Sequence, residues 1–243
     1  RGMAVMKEKV ALVTGSSRGI GREIALKLAD EVSAVGVHFH KSRDEAEKVA
    51  GGIRKKGKES AVFTADLKNE SEAIFLIREA EERFGRVDIL VNNFGPLLVK
   101  PWEEVEGSEW EDIFRSNLLS ALHCMKAVLP GMRKRKWGRI INLGYSRAEQ
   151  LVAFSNITPY AVAKTGLLIL TRSVAASTAS TGITVNMVSP GLIEGGILPS
   201  GKKEGRKRVG SFRDVSEAVV FLASEKAGFI TGTNLIVGGG WKL

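Results

Sequence analysis

The sequence predicts an α/β fold, a doubly wound parallel sheet of seven strands flanked by helices, in one domain spanning residues 1–243. Two observations carry this. Short β-type runs recur seven times, at 10–13, 33–39, 60–64, 87–91, 139–143, 183–188 and 234–237. Between them lie segments with apolar residues at helical spacing, at 19–30, 43–55, 69–84, 108–134, 159–177 and 214–223. Such alternation calls for parallel strands joined by right-handed crossovers, with helices on both faces. Ligands in a sheet of this kind bind beyond the carboxyl ends of the strands, so the residues that follow each strand are the ones to weigh.

The first of these junctions, after 10–13, reads Thr14-Gly15-Ser16-Ser17-Arg18-Gly19-Ile20-Gly21. Glycine permits tight and positive-φ turns and lets a phosphate approach without meeting a Cβ. The N–H groups that open the following helix add donors and positive dipole, so this turn is the place for a pyrophosphate. After the second strand come His40, Lys41, Ser42 and Arg43, where an NAD-type site has an acid that accepts from the ribose. No acid stands here. With Arg18 in the turn, the two cations and the hydroxyl would meet a 2′-phosphate with opposite charge and donors, which predicts NADP(H).

Composition sets the bounds. The 44% hydrophobic and 26% charged content are those of an ordinary globular chain, and no apolar run reaches the ~18 residues a membrane span needs. Residues 1–7 hold no apolar signal core, so a cytoplasmic protein is expected. The single cysteine, Cys124, lies in an apolar run and is expected in the core; no metal site is expected. The net charge of +9 invites a nucleic-acid reading. However, the basic residues are dispersed, and the two dense runs, 133–136 and 202–208, carry no interleaved aromatics. Solvated faces, or an anionic substrate, cofactor phosphate or acidic carrier protein, fit them better.

Taken in order, the motifs Thr14-Gly15…Gly19-Ile20-Gly21, Asp66-Leu67, Asn92-Asn93-Phe94-Gly95, Asn117, Tyr160-x-x-x-Lys164, Pro190-Gly191 and Ile230-Thr231-Gly232…Gly238-Gly239-Gly240-Trp241 span nearly the whole chain. In this the sequence resembles the classical short-chain dehydrogenases/reductases, a Rossmann-like family, and among them most the bacterial 3-oxoacyl-(acyl-carrier-protein) reductases. The resemblance implies NADP(H)-dependent reduction of a carbonyl to an alcohol. The substrate would be an acyl group on its carrier, another small carbonyl compound or a pterin. A weakened NADP(H)-binding sensor is the rival reading.

By this resemblance the cofactor lies against Gly15, Ser17, Arg18, Gly19, Ile20 and Gly21, then His40, Lys41, Ser42 and Arg43. Asp66 and Leu67 would meet the adenine, with Asp66 as helix N-cap the alternative. Asn93, Phe94 and Gly95 follow the fourth strand, with Phe94 where the family has alanine. Pro190, Gly191 and Ile193 would meet the nicotinamide amide.

Tyr160 and Lys164, at i and i+4, share one helix face. Lysine, together with an oxidised nicotinamide, is expected to lower the phenol's pKa for acid/base work. Asn117 resembles the family's relay asparagine. The family serine after the fifth strand is replaced by Tyr145, with Ser146 next, and either one is the candidate to polarise the carbonyl. A glycine, Gly195, stands where the family has threonine, and the substrate loop, about 194–208, is short and basic. Lys136 matches one carrier-docking position of the family's reductases, while Thr181 replaces the basic residue at the other. The family also implies a homotetramer paired through helices 108–134 and 159–177, with 235–243 at a second contact; the run Leu167-Leu168-Ile169-Leu170 is rich for a helix facing water.

Overall fold

The computed structural model describes residues 6–195 and 209–241 of the chain. Its sheet has seven strands in the order β3-β2-β1-β4-β5-β6-β7, and every pairing is parallel. The strands are β1 (Val10–Val13), β2 (Ala34–Phe39), β3 (Glu59–Thr64), β4 (Ile89–Asn92), β5 (Gly138–Leu143), β6 (Ile183–Pro190) and β7 (Asn234–Val237). β1, β2, β4 and β5 are buried at every residue, as largely apolar strands are when helices cover both faces, with His38, Asn92, Arg139 and Asn142 as their buried polar members. Gly36 in β2 allows that packing, because a Cβ there would lie 2.8 Å from the Leu12 side chain and 3.0 Å from Phe63.

One core layer packs α1 (Gly19–Leu28), α2 (Arg43–Lys55) and α7 (Phe212–Ala223) on the sheet through Ile24, Leu28, Ile53 and Val219. The opposite layer packs α3 (Glu70–Phe84), α5 (Ser120–Arg135) and α6 (Thr158–Thr178) through Leu76, Met125 and Leu167. Cys124 lies in this second layer as expected, fully buried, and burial pushes its thiol up to about 12. Of the basic run 133–136, Arg135 turns inward to donate to the Val87 carbonyl at 2.7 Å, and the run 202–208 lies outside the described residues.

The helix expected over 108–134 is interrupted. α4 (Gly107–Phe114) passes into one π-helical turn, Arg115–Leu119, before α5 begins. Ser116 and Ser120 each donate from the side chain to the carbonyl four residues earlier, and Asn117 Nδ2 does the same to Ile113 at 3.1 Å. Competing bonds of this kind loosen the α-helical ladder, and π turns tend to mark functional places. The expected rich run on α6 splits by face: Leu167 and Leu168 are buried, while Ile169 is 62% exposed.

Candidate active site

The carboxyl ends of β1, β2, β4, β5 and β6 open on one cleft of about 1090 Å³. Its centre is the gap where β1 and β4 lie side by side and the chain order reverses, the topological switch point. Here the glycine turn runs with Gly15 at φ 60° and Gly19 at φ 56°, left-handed values that glycine adopts without strain. Arg18 precedes α1 in extended conformation and gives no side-chain cap, so the first-turn N–H groups open toward the cleft. A Cβ on Gly19 would meet nothing within 4 Å, whereas one on Gly21 would strike Asn93 and the Gly15 carbonyl.

Asn93 clamps the turn. Its backbone N–H donates to Thr14 Oγ1 at 3.0 Å, and its Nδ2 donates to the Thr14 and Gly15 carbonyls at 2.9 and 3.0 Å. His38, for which sequence reasoning assigned no role, holds it from the other side. Its Nδ1 accepts from the Gly15 N–H at 2.9 Å and its Nε2 donates to the Ala65 carbonyl at 3.1 Å, which fixes one neutral tautomer. Burial pulls its pKa down to about 4. The available signal was a histidine inside an apolar strand.

Of the expected cofactor residues, Gly15, Ser17, Arg18, Gly19, Ile20, Gly21, His40, Lys41, Ser42, Asn93, Phe94, Gly95, Tyr160, Lys164, Pro190, Gly191 and Ile193 line this cleft. Arg43, Asp66 and Leu67 are not among its lining. Arg43 opens α2, and Leu67 is buried in the second core layer. Asp66 Oδ1 accepts from the Lys68 N–H at 3.2 Å, and the N-cap position of α3 belongs to Asn69, not Asp66. Ser42 occupies the N-cap position of α2 without capping, which leaves its hydroxyl to the cleft.

At the inner end, Lys164 Nζ donates to the Leu143 carbonyl at 2.8 Å and lies 5.7 Å from the Tyr160 ring centre. The π turn brings Asn117 to the same point: a Cβ on Gly95 would overlap Asn117 Oδ1 and lie 3.2 Å from Lys164 Nζ. Asn117 Nδ2 donates to the Pro96 carbonyl at 3.0 Å, while its Oδ1 is buried without a partner. Burial, then the neighbouring Tyr145, hold the Tyr160 phenol above its ordinary range, and burial pulls Lys164 down to about 7. The expected lowering of the phenol is therefore not the state of the free protein: desolvation favours both neutral forms and outweighs the attraction of the ammonium.

Tyr145 packs edge-on to Tyr160 with ring centres 5.7 Å apart, and its hydroxyl is buried without a partner. Burial pushes it up to about 12. Ser146 is 3% exposed, is anchored by its N–H to the Pro190 carbonyl at 3.0 Å, and has an unpartnered Oγ. Beyond β6, Gly191 donates to the Val237 carbonyl, and a Cβ on Gly191 would come 2.7 Å from Gly238, so two backbones touch there. Gly195, in place of the expected threonine, is at φ 72°, and a Cβ on it would come 2.8 Å from the Phe212 ring. Apart from Glu194 and Gly195 the substrate loop lies outside the described residues up to 208. Sequence reasoning also passed over Arg147, Phe154 and Phe212, which line the cleft.

Fold and site together define a dinucleotide-binding α/β protein with a tyrosine–lysine pair beside the cleft. A family model described as enoyl-(acyl carrier protein) reductase matches residues 15–242. The chain is 39% identical over 241 residues to the 3-oxoacyl-(acyl-carrier-protein) reductase of Staphylococcus epidermidis, covering 96% of this chain and 98% of the relative. To the Haemophilus influenzae protein of the same name it is 38% identical, covering 98% and 100%. Among solved structures it superposes on a blue fluorescent protein from a metagenomic library in complex with NADPH, with TM-score 0.90, 31% identity and coverage of 98% and 99%. It also superposes on a dehydrogenase/reductase from Sinorhizobium meliloti, with TM-score 0.90, 29% identity and 99% of each chain. The chain belongs to the short-chain dehydrogenase/reductase family.

Proposed function

We propose that this protein is an NADP(H)-dependent oxidoreductase that reduces a carbonyl to an alcohol, with a 3-oxoacyl thioester on an acyl carrier as its substrate class. The observation that carries the chemistry is the meeting of Lys164 and Asn117 at Gly95, with the Tyr160 ring 5.7 Å from Lys164 Nζ, in the cleft whose other end is the glycine turn. The names of the Staphylococcus and Haemophilus relatives support the substrate class.

The cleft fits the dinucleotide. Gly19 and the start of α1 offer uncapped donors to a pyrophosphate, Arg18, His40, Lys41 and Ser42 face a 2′-phosphate, and Pro190, Gly191 and Ile193 flank the far end. Asn93, Phe94 and Gly95 form the floor between them. When bound, the reduced cofactor supplies the hydride. The chain's own groups supply the rest. Tyr160 gives its O–H proton to the substrate oxygen, and the C=O double bond becomes CH–OH. Tyr145 donates a hydrogen bond to the same oxygen and holds it, taking the place of the family serine. Lys164, held by the Leu143 carbonyl, restores the tyrosine's proton and orients it, with the unpartnered Asn117 Oδ1 as a further acceptor beside it.

No helix among the described residues is long and apolar enough to cross a membrane. We place the protein in the cytoplasm as a homotetramer paired through α5 and α6. The exposed Val162 and Ile169 on α6, and the fully exposed Phe229 before β7, favour such pairing.

The test is oxidation of NADPH with a 3-oxobutyryl N-acetylcysteamine thioester, a neutral mimic of the carrier-bound substrate. Turnover that favours NADPH over NADH, and falls by about 100-fold or more in Tyr160→Phe with cofactor affinity retained, supports the reading. NADPH binding without oxidation by any carbonyl compound overturns it in favour of a nucleotide sensor.

A further inference from the structure

Four cations line the cleft among the described residues: Arg18, Lys41, Lys164 and Arg147. The first two face the 2′-phosphate in the reading above, and the third serves Tyr160. Arg147 is left over, two residues past Tyr145 on the substrate side. Its guanidinium lies 4.8 Å over the Phe154 ring, and Phe154 packs 6.0 Å from Tyr145, itself 5.7 Å from Tyr160. A chain of stacked groups thus runs from the proton donor to a fixed positive charge.

The arginine is held in place. The guanidinium lies over the Phe154 ring, and Nε donates to Gln150 Oε1 at 2.8 Å. The terminal nitrogens make no ion pair among the described residues: neighbouring Glu149 is bound by Arg172, and Glu194, the carboxylate among the described lining residues, makes none with Arg147. A fork held by Phe154 and Gln150, in the same cleft as Tyr160 and with no carboxylate partner among the described residues, is matched to a bidentate anion.

We propose that Arg147 is an anion anchor, and that the ketone reduced at Tyr160 carries a carboxylate on its acyl portion, held by the Arg147 fork. This rests on the reductase reading and narrows it. Arg147 and Tyr160 line one cleft and are linked through Phe154 and Tyr145, an arrangement that an anion borne on the acyl portion itself can meet. The substrate's own carboxylate is the anion assigned, and the phosphate of a pantetheine arm is the other source that the test separates.

The test compares matched acids and methyl esters, 4-oxopentanoate and 5-oxohexanoate with their esters, as kcat/KM under NADPH. The expected preference for acid is about 10- to 100-fold and sits in KM. In Arg147→Met the acid-to-ester ratio falls to about one, and Arg147→Lys recovers part of it. A general lesion in folding would lower both substrates together and leave the ratio standing. A wild-type ratio near one, or a ratio unmoved by Arg147→Met, overturns the proposal. So does a preference for a coenzyme A thioester over its N-acetylcysteamine counterpart that is lost in Arg147→Met, since that assigns the anion to the carrier arm. If no carbonyl compound is reduced, calorimetric titration of 4-oxopentanoate into the NADP⁺ complex separates the two readings. Binding lost in Arg147→Met keeps the anchor while the reductase falls, and no binding sinks both.

Discussion

Replacing Gly95 by alanine puts the arrangement around Lys164 under direct strain. The added methyl would overlap Asn117 Oδ1 and come 3.0 Å from Asn117 Cγ and 3.2 Å from Lys164 Nζ. Neither neighbour is free to step back. Asn117 is tied through Nδ2 to the Pro96 and Ile113 carbonyls at 3.0 and 3.1 Å, and Lys164, 2% exposed, is tied to the Leu143 carbonyl at 2.8 Å. Overpacking of a tight site costs about 1–3 kcal/mol, and breaking one of those buried bonds adds about 1–3 kcal/mol. The expected loss of stability is about 2–6 kcal/mol, or about 4–24 °C in Tm for a chain of this size, read by calorimetry. Displacing the lysine or asparagine by even a fraction of an ångström should also lower kcat by about 100-fold. Gly51→Ala is the control: it lies inside α2 with nothing within 4 Å of a new Cβ, and should gain about 0.5–1 kcal/mol. A Gly95→Ala protein with unchanged Tm and turnover would refute the packed triad.

Tyr145→Phe should lower kcat/KM by about 100-fold while Ser146→Ala costs less than about threefold, because removing an oxyanion donor has that magnitude; the reverse order would assign the carbonyl to Ser146. Lys41→Ala should raise KM for NADPH about tenfold and leave NADH unchanged, as expected for a charge that meets only the extra phosphate; equal effects on both would refute it. His38 makes stability depend on pH. Its folded pKa, about 4, lies below the ordinary 6.5, so the unfolded chain binds more protons between these values. Its contribution is complete above about pH 6.5 and lost as pH falls toward 4, amounting to about 3 kcal/mol. Denaturant midpoints measured across that window should slope in the native protein and flatten in His38→Asn.

The sheet was legible because buried parallel strands need short, mostly apolar runs, and Val10–Val13, Ile89–Val91 and the Ile140-Ile141 pair in β5 supply them. The glycine turn was legible for a related reason: Gly15 and Gly19 sit at φ values that other residues avoid. The π turn was not. Its residues have ordinary helical periodicity, and the turn forms because Ser116, Asn117 and Ser120 bond backward to carbonyls while Asn117 must reach Gly95. Such three-dimensional demands leave no period in the sequence. Arg147 escaped for the same reason, since its significance lies in stacking on Phe154 seven residues later. Asp66, placed by motif after β3, the edge strand, is not among the residues that line the cleft.

The spacing of Tyr160 and Lys164 suggested a phenol made acidic by its ammonium, and the structure reverses the emphasis. Burial acts on both groups and disfavours charge on each, so it raises the phenol and pulls the lysine down to about 7. The free protein therefore holds a neutral phenol, which is the form that can hand a proton to a carbonyl. Reduction needs no prior ionisation; the reverse oxidation needs a phenolate and thus an additional positive charge nearby. The chain has two tyrosines, Tyr145 and Tyr160, and both stand in this site, so tyrosinate absorbance reports on them alone. Titration of the free protein should show no tyrosinate below about pH 10, the ordinary phenol value, and Tyr145 ionises first, at about 12, ahead of the more deeply buried Tyr160. Tyrosinate growing in between about pH 7 and 9, and absent from Tyr160→Phe, would mean that the ammonium outweighs desolvation after all, and that the pair is set for oxidation rather than reduction.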